Sequence, residues 1–124
     1  MHARTFIKTL LAGAVALALA GAAQAQNWKP TKPINLIVPW AAGGSTDQVT
    51  RVTAAEIEKV LGQKIVIVNQ PGASGSIGSK NAWEAPHDGY TWTAGAAQDL
   101  GAYQSLGFLD VPIKDWHLFL NVAN

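Results

Sequence analysis

The 124-residue chain contains no cysteine. That absence excludes disulfide staples, thiolate metal sites, a cysteine nucleophile and a lipid anchor carried on cysteine. Charge is also scarce, at 14% of residues, and no acidic residue precedes Asp47. Setting aside Arg4 and Lys8, which lie before a hydrophobic run, leaves seven basic residues against eight acidic ones. No strong positive field remains to hold nucleic acid. The three histidines, His2, His87 and His117, have no partner at helical spacing, so no metal site is expected. What is plentiful is apolar: 48% hydrophobic residues, with twelve glycines and five tryptophans. That share excludes a solvated disordered chain, and the length allows one domain at most.

Residues 1–25 have the pattern of a secretory signal peptide. Arg4 and Lys8 form a basic start, Leu10 to Ala20 an apolar stretch, and Ala23-Gln24-Ala25 a small-residue cleavage site before Gln26. The uncharged run from Thr9 to Trp28 is long enough to span a membrane marginally, but its second part is Ala, Gly and Gln, which favours cleavage over anchoring. Residues 26–124 would then be the mature, exported part. Nucleotide cofactors are scarce in such a compartment, and none is expected.

The mature part reads as strand, helix, strand, helix, strand. Ile34 to Val38 is a short apolar run of the kind buried on both sheet faces, stopped by Pro39. Residues 47–61 fit a helix with Val49, Thr53, Ile57, Val60 and Leu61 on one face, capped by Ser45 or Thr46 and ended by Gly62. Ile65 to Val68 is a second buried-type strand. A short helix spans about 76–84, and Tyr90 to Ala94 alternates as a third strand. The helices are long enough for crossovers, so the sheet is parallel and the class α/β. Residues 99–106 read as a helix and 117–122 as another strand.

Two glycine-rich loops follow the first two strands: Ala41-Ala42-Gly43-Gly44 and Gly72-Ala73-Ser74-Gly75-Ser76. In a parallel sheet both emerge at the carboxyl edge, where ligands of open α/β sheets bind. Each feeds a helix N-terminus, whose free amides and positive dipole end suit a carboxylate. Neither loop has the lysine of a phosphate-binding loop or the glycine spacing of a dinucleotide fingerprint. Trp40 sits where it would wall a pocket or simply pack. Asp47 either complements the helix dipole or meets a ligand ammonium or hydroxyl, and Arg51 is placed to reach back to it. Ser74 or Ser76 with His87 and Asp88 offers an alternative, an exported serine hydrolase, though the nucleophile-elbow glycine is missing. Trp83, Trp92 and Trp116 read as packing residues.

From Pro33 to about Tyr90 the sequence resembles the substrate-binding proteins of tripartite tricarboxylate transporters, the TctC or Bug family. The resemblance is carried by PINLIVPW, AAGGSTD, Arg51, LGQKIVIVNQPGASGSIG and DGYT. It implies a periplasmic binding protein of type II-like architecture, with residues 26–124 forming the N-terminal part of its first lobe, and no enzymatic activity. It also implies that residues 40–47 and 72–77 hold a ligand carboxylate, largely through backbone amides: Trp40, Ala42, Gly43, Gly44, Ser45, Asp47, Gly72, Ala73, Ser74, Gly75 and Ser76. The partners it implies are a small carboxylate and inner-membrane transporter subunits. The family usually has Phe where this chain has Trp40, and residues 96–124 follow the family pattern less closely. Family members are more than twice as long, so the chain is expected to stop within the first lobe, leave a sheet edge exposed and bind solute weakly on its own.

Overall fold

A computed structural model describes residues 29–122; the expected signal peptide lies outside the described residues. The described residues form three strands and three helices. They run β1 (Ile34–Val38), α1 (Ser45–Leu61), β2 (Ile65–Asn69), α2 (Ser76–Glu84), β3 (Thr91–Thr93) and α3 (Ala97–Ser105). Short 3-10 turns at Ala73–Gly75 and Ile113–Asp115 complete the described elements. The sheet order is β2-β1-β3. Both pairings are parallel, with Ile34 opposite Ile65 and Leu36 opposite both Ile67 and Trp92.

This order follows from the connections. α1 joins neighbouring strands, whereas α2 steps back over β1 to reach β3. With right-handed crossovers the two helices cover opposite faces, and the chain reverses direction across the sheet at β1. Ile34, Leu36 and Ile65 pack with Ala54 of α1, flanked by Ile57, Leu61, Ile67 and Trp92. A second cluster joins Leu100 and Tyr103 of α3 to Leu109 and Val111, with Trp83 of α2 and Trp116 against it.

α1 ends as its sequence requires. Gly62 takes the left-handed conformation at φ 66° and donates its amide to the Glu58 carbonyl at 2.8 Å. Glu58 ties that end to β2, accepting from the Ile65 amide at 2.7 Å and from Lys64 Nζ at 2.9 Å. The Ile65 amide, more than Lys64, holds the Glu58 carboxyl below its ordinary range.

Four expectations are corrected. Neither Ser45 nor Thr46 caps α1: the cap position is Gly44, without a side-chain bond. Asp47 instead reaches back from the first turn, in the manner of a capping box displaced by one residue. The buried face of α1 is Asp47, Thr50 and Ala54, with Ile57 and Leu61 half-buried, while Val60 is 86% exposed. The face has turned because Asp47 is drawn inward and carries residues 50, 54, 57 and 61 with it. β2 is an edge strand among the described residues, and Val66 is 46% exposed despite its buried-type sequence, on a sheet face where its central-strand partner Asn35 is exposed too. Residues 117–122 form no strand; they run as coil, with the Phe119 ring 5.0 Å edge-on from Trp92, in contact through side chains and without a backbone ladder. Among the described residues, no helix is long and apolar enough to cross a membrane.

Candidate functional site

The loops after β1 and β2 lie side by side at the carboxyl edge, because their strands are parallel neighbours. Their contact is close. A Cβ on Gly78, in the first turn of α2, would stand 2.7 Å from the Gln70 carbonyl oxygen and 2.9 Å from the Pro39 Cα. A Cβ on Gly75 would stand 2.5 Å from the Tyr103 hydroxyl and 3.2 Å from the Trp40 ring. Glycine is therefore required at both positions by the approach of neighbouring groups. Trp40 is half-buried and lies against Gly75, so it bridges the two loops.

Asp47 holds the first loop together. It is 2% exposed, and its carboxylate accepts from the Gly43 amide at 2.8 Å, Arg51 Nε at 2.9 Å and Asn69 Nδ2 at 2.9 Å. The Arg51 bond is the foremost reason that the carboxyl lies far below its usual range, with the Gly43 amide and Asn69 adding to it. Asn69 also donates to the Trp40 carbonyl at 3.1 Å and accepts from Arg51 Nη2 at 3.2 Å. The end of β2 is thus tied to the loop that follows β1. Arg51 does reach Asp47, and its Nε is committed to that pair.

These bonds change which amides are available. The Gly43 amide is taken by Asp47, Gly44 by the Ala41 carbonyl, Gly75 by Gly72 and Ser76 by Ala73. Those glycines shape the loops; their N–H groups are not the free donors. A helix leaves the amides of its first turn without intrahelical carbonyl partners, here those of Ser45 and Thr46 in α1 and of Ile77 in α2, while Gly78 is buried against Gln70 and Pro39. Ala42, Ala73 and Ser74 are exposed beside them, and Gly72 is half-buried.

The turn of the second loop is unusual. Ala73 and Ser74 adopt φ of 43° and 53°, left-handed values that non-glycine residues rarely take. Ser76 Oγ donates to the Ala73 carbonyl at 2.8 Å and the Tyr103 hydroxyl to the Ser74 carbonyl at 2.7 Å. Burial, then the Asp99 charge, pushes the Tyr103 phenol above its ordinary pKa. Asn69 and Tyr103 escaped the sequence reading. Asn69 has a legible signal, a polar residue closing an apolar strand run; Tyr103 has none, because its contact spans 29 positions.

The hydrolase alternative is not assembled. Ser76 is buried with its hydroxyl on Ala73, while His87 lies beyond the far end of α2 with Nε2 on the Trp83 carbonyl. Nine helical residues separate the two ends by about 13 Å. His87 and His117 are both exposed. Among the described residues, no three histidine or acidic side chains gather as metal ligands.

A broad open groove of about 1320 Å³ runs from Ser45 and Thr46 past Gly95 and Trp92 to Phe119. Its upper end lies at the strand-order reversal between β1 and β3, where α3 also begins. Of the eleven residues expected to touch ligand, Ser45 alone lines it; the others form a shelf at the carboxyl edge.

The chain is similar to several known proteins. A UPF0065 protein of Agrobacterium vitis is 38% identical over 114 residues, covering 90% of this chain and 32% of its own length. Protein BugT of Bordetella pertussis is 45% identical over 62 residues, 50% of this chain and 19% of its own. A TctC solute-binding protein from Polaromonas, solved without ligand, superposes with a TM-score of 0.63 at 38% identity, over 69% of this chain and 30% of that one. The chain carries a Bug/TctC-family segment. No family profile matches it. Two Rhodopseudomonas palustris proteins also superpose on it, each at 41% identity and over 22% of its own length. One, solved with adipate, has a TM-score of 0.52 over 53% of this chain. The other, MatC with bound malate, has 0.50 over 52%. The Polaromonas relative, named by its function, is a solute-binding protein and not an enzyme. The chain spans about a third of the length of the Agrobacterium vitis relative.

Proposed function

We propose that the chain forms the N-terminal part of the first lobe of a periplasmic solute-binding protein that captures a small carboxylate for a tripartite tricarboxylate-type transporter. One observation carries the reading: two helices begin side by side at one sheet edge, and the nearby cation, Arg51, is committed to Asp47. An acidic solute at that edge would meet peptide amides rather than guanidinium or ammonium groups. The donors in this reading are the amides of Ser45, Thr46, Ser74 and Ile77. The other expected contacts, Trp40, Ala42, Gly43, Gly44, Gly72, Ala73, Gly75 and Ser76, shape or wall the shelf, and Asp47 fixes the first loop. Adipate and malate in the two R. palustris relatives support a dicarboxylate.

Two or three charge-assisted bonds at about 1.5 kcal/mol each correspond to roughly millimolar affinity for one lobe. Titration of the 15N-labelled chain with malate and with adipate tests this. Amide shifts at Ser45, Thr46, Ser74 and Ile77 are the expected result. Unmoved amides at tens of millimolar would refute capture by this edge, and micromolar binding would refute the one-lobe geometry.

A further inference from the structure

We infer that Tyr103 is a positioning residue for solute capture, its hydroxyl holding the Ser74 carbonyl and thereby the turn that presents the Ser74 amide. This rests on the capture reading above. Tyr103 is 3% exposed, and its ring is packed among Leu100, Leu109 and Val111. A phenol so buried needs a partner for its O–H, and it finds one 2.7 Å away on the second loop.

The turn needs that hold. Ala73 and Ser74 are both left-handed without being glycine, so the local chain alone does not favour the conformation. Each carbonyl of the strained pair is gripped by a hydroxyl: Ala73 by Ser76, from the adjoining helix, and Ser74 by Tyr103, from α3. Gly75 leaves the space that the phenol enters, since a Cβ there would lie 2.5 Å from its oxygen. In the planar trans Ala73–Ser74 peptide, the Ser74 N–H points opposite to the held Ala73 carbonyl, away from the turn. The geometry therefore couples the solute shelf to the α3 cluster, a part of the chain outside both loops.

Tyr103→Phe deletes one oxygen and keeps the ring. The 15N-labelled full chain is titrated with malate, with circular dichroism reporting the fold. A roughly tenfold loss of affinity at unchanged helicity is expected, with the lost shifts concentrated at Ser74 and Ile77 and those of Ser45 and Thr46 retained at higher malate. p-Aminophenylalanine at position 103, which again donates a hydrogen, is expected to recover most of the affinity. p-Fluorophenylalanine there fills the hydroxyl's space without donating, and replaces the Phe variant if that fails to fold. Parent-like affinity in the non-donating variants would overturn the role of Tyr103 and leave capture intact. A parent chain whose loop amides ignore malate would overturn both.

Discussion

Gly78→Ala and Gly101→Ala make the same chemical change inside two nine-residue helices, and the structure assigns them opposite signs. In both, exchanging glycine for alanine gains about 0.8–1.0 kcal/mol of helix propensity. At Gly101 a Cβ meets nothing within 4 Å, so the gain stands alone. At Gly78 the same Cβ falls 2.7 Å from the Gln70 carbonyl oxygen and 2.9 Å from the Pro39 Cα, both backbone atoms that cannot rotate away. Overpacking of this kind costs about 1–3 kcal/mol, and rigid backbone places it toward the upper end. The net is a loss of about 1–2 kcal/mol for Gly78→Ala and a gain approaching 1 kcal/mol for Gly101→Ala. For a domain of this size that is a separation of roughly 10 °C in melting temperature. Thermal melts followed by circular dichroism, with urea titration as a second measure, read both variants directly. If Gly78→Ala were as stable as Gly101→Ala, α2 would not be docked on the ends of β1 and β2. The juxtaposition of the two loops would then lose its mechanical basis.

Gly75→Ala and Gly62→Ala form a second matched pair. Both glycines are left-handed, so each substitution costs about 1–2 kcal/mol, but only at Gly75 must the Tyr103 hydroxyl also be displaced. Equal melting temperatures would count against that contact. Asp47 makes stability depend on acid. Its folded pKa lies below the unfolded value of about 3.9, so its contribution is present above that value and fades as pH falls through the folded one. Asp47→Asn is therefore less stable than the parent at pH 7, and the gap narrows toward pH 2; a gap independent of pH in urea titrations would contradict the network. Ser76→Ala removes the hydroxyl on the Ala73 carbonyl but leaves the Ser76 amide bonded to it, so malate affinity measured by amide shifts should fall by no more than a few-fold, less than in Tyr103→Phe.

Much of the fold was legible because the signals are local. The apolar runs at Ile34 and Ile65, the α1 stop at Gly62 and the start of α2 at Ser76 all lie where the residues place them. The face of α1 was misplaced by about one residue because Asp47, not counted on that face, is drawn inward by three donors that come from both sides of it in the sequence. The apolar tail at 117–122 has strand-like composition, but a strand also needs a ladder partner, and composition cannot supply one.

By itself the sequence determined the alternation of strand and helix and the parallel sense of the sheet. Each of these follows from spacing or residue type within about twenty positions. Strand order, and which amides remain free, were decided only in three dimensions. β1 and β2 are nearly alike in composition, yet one is central and the other an edge, because α2 returns across β1 to reach β3. The glycine amides that seemed the natural grip are consumed by Asp47 and by neighbouring carbonyls, since hydrogen bonds form between groups that folding brings together, whatever their separation along the chain.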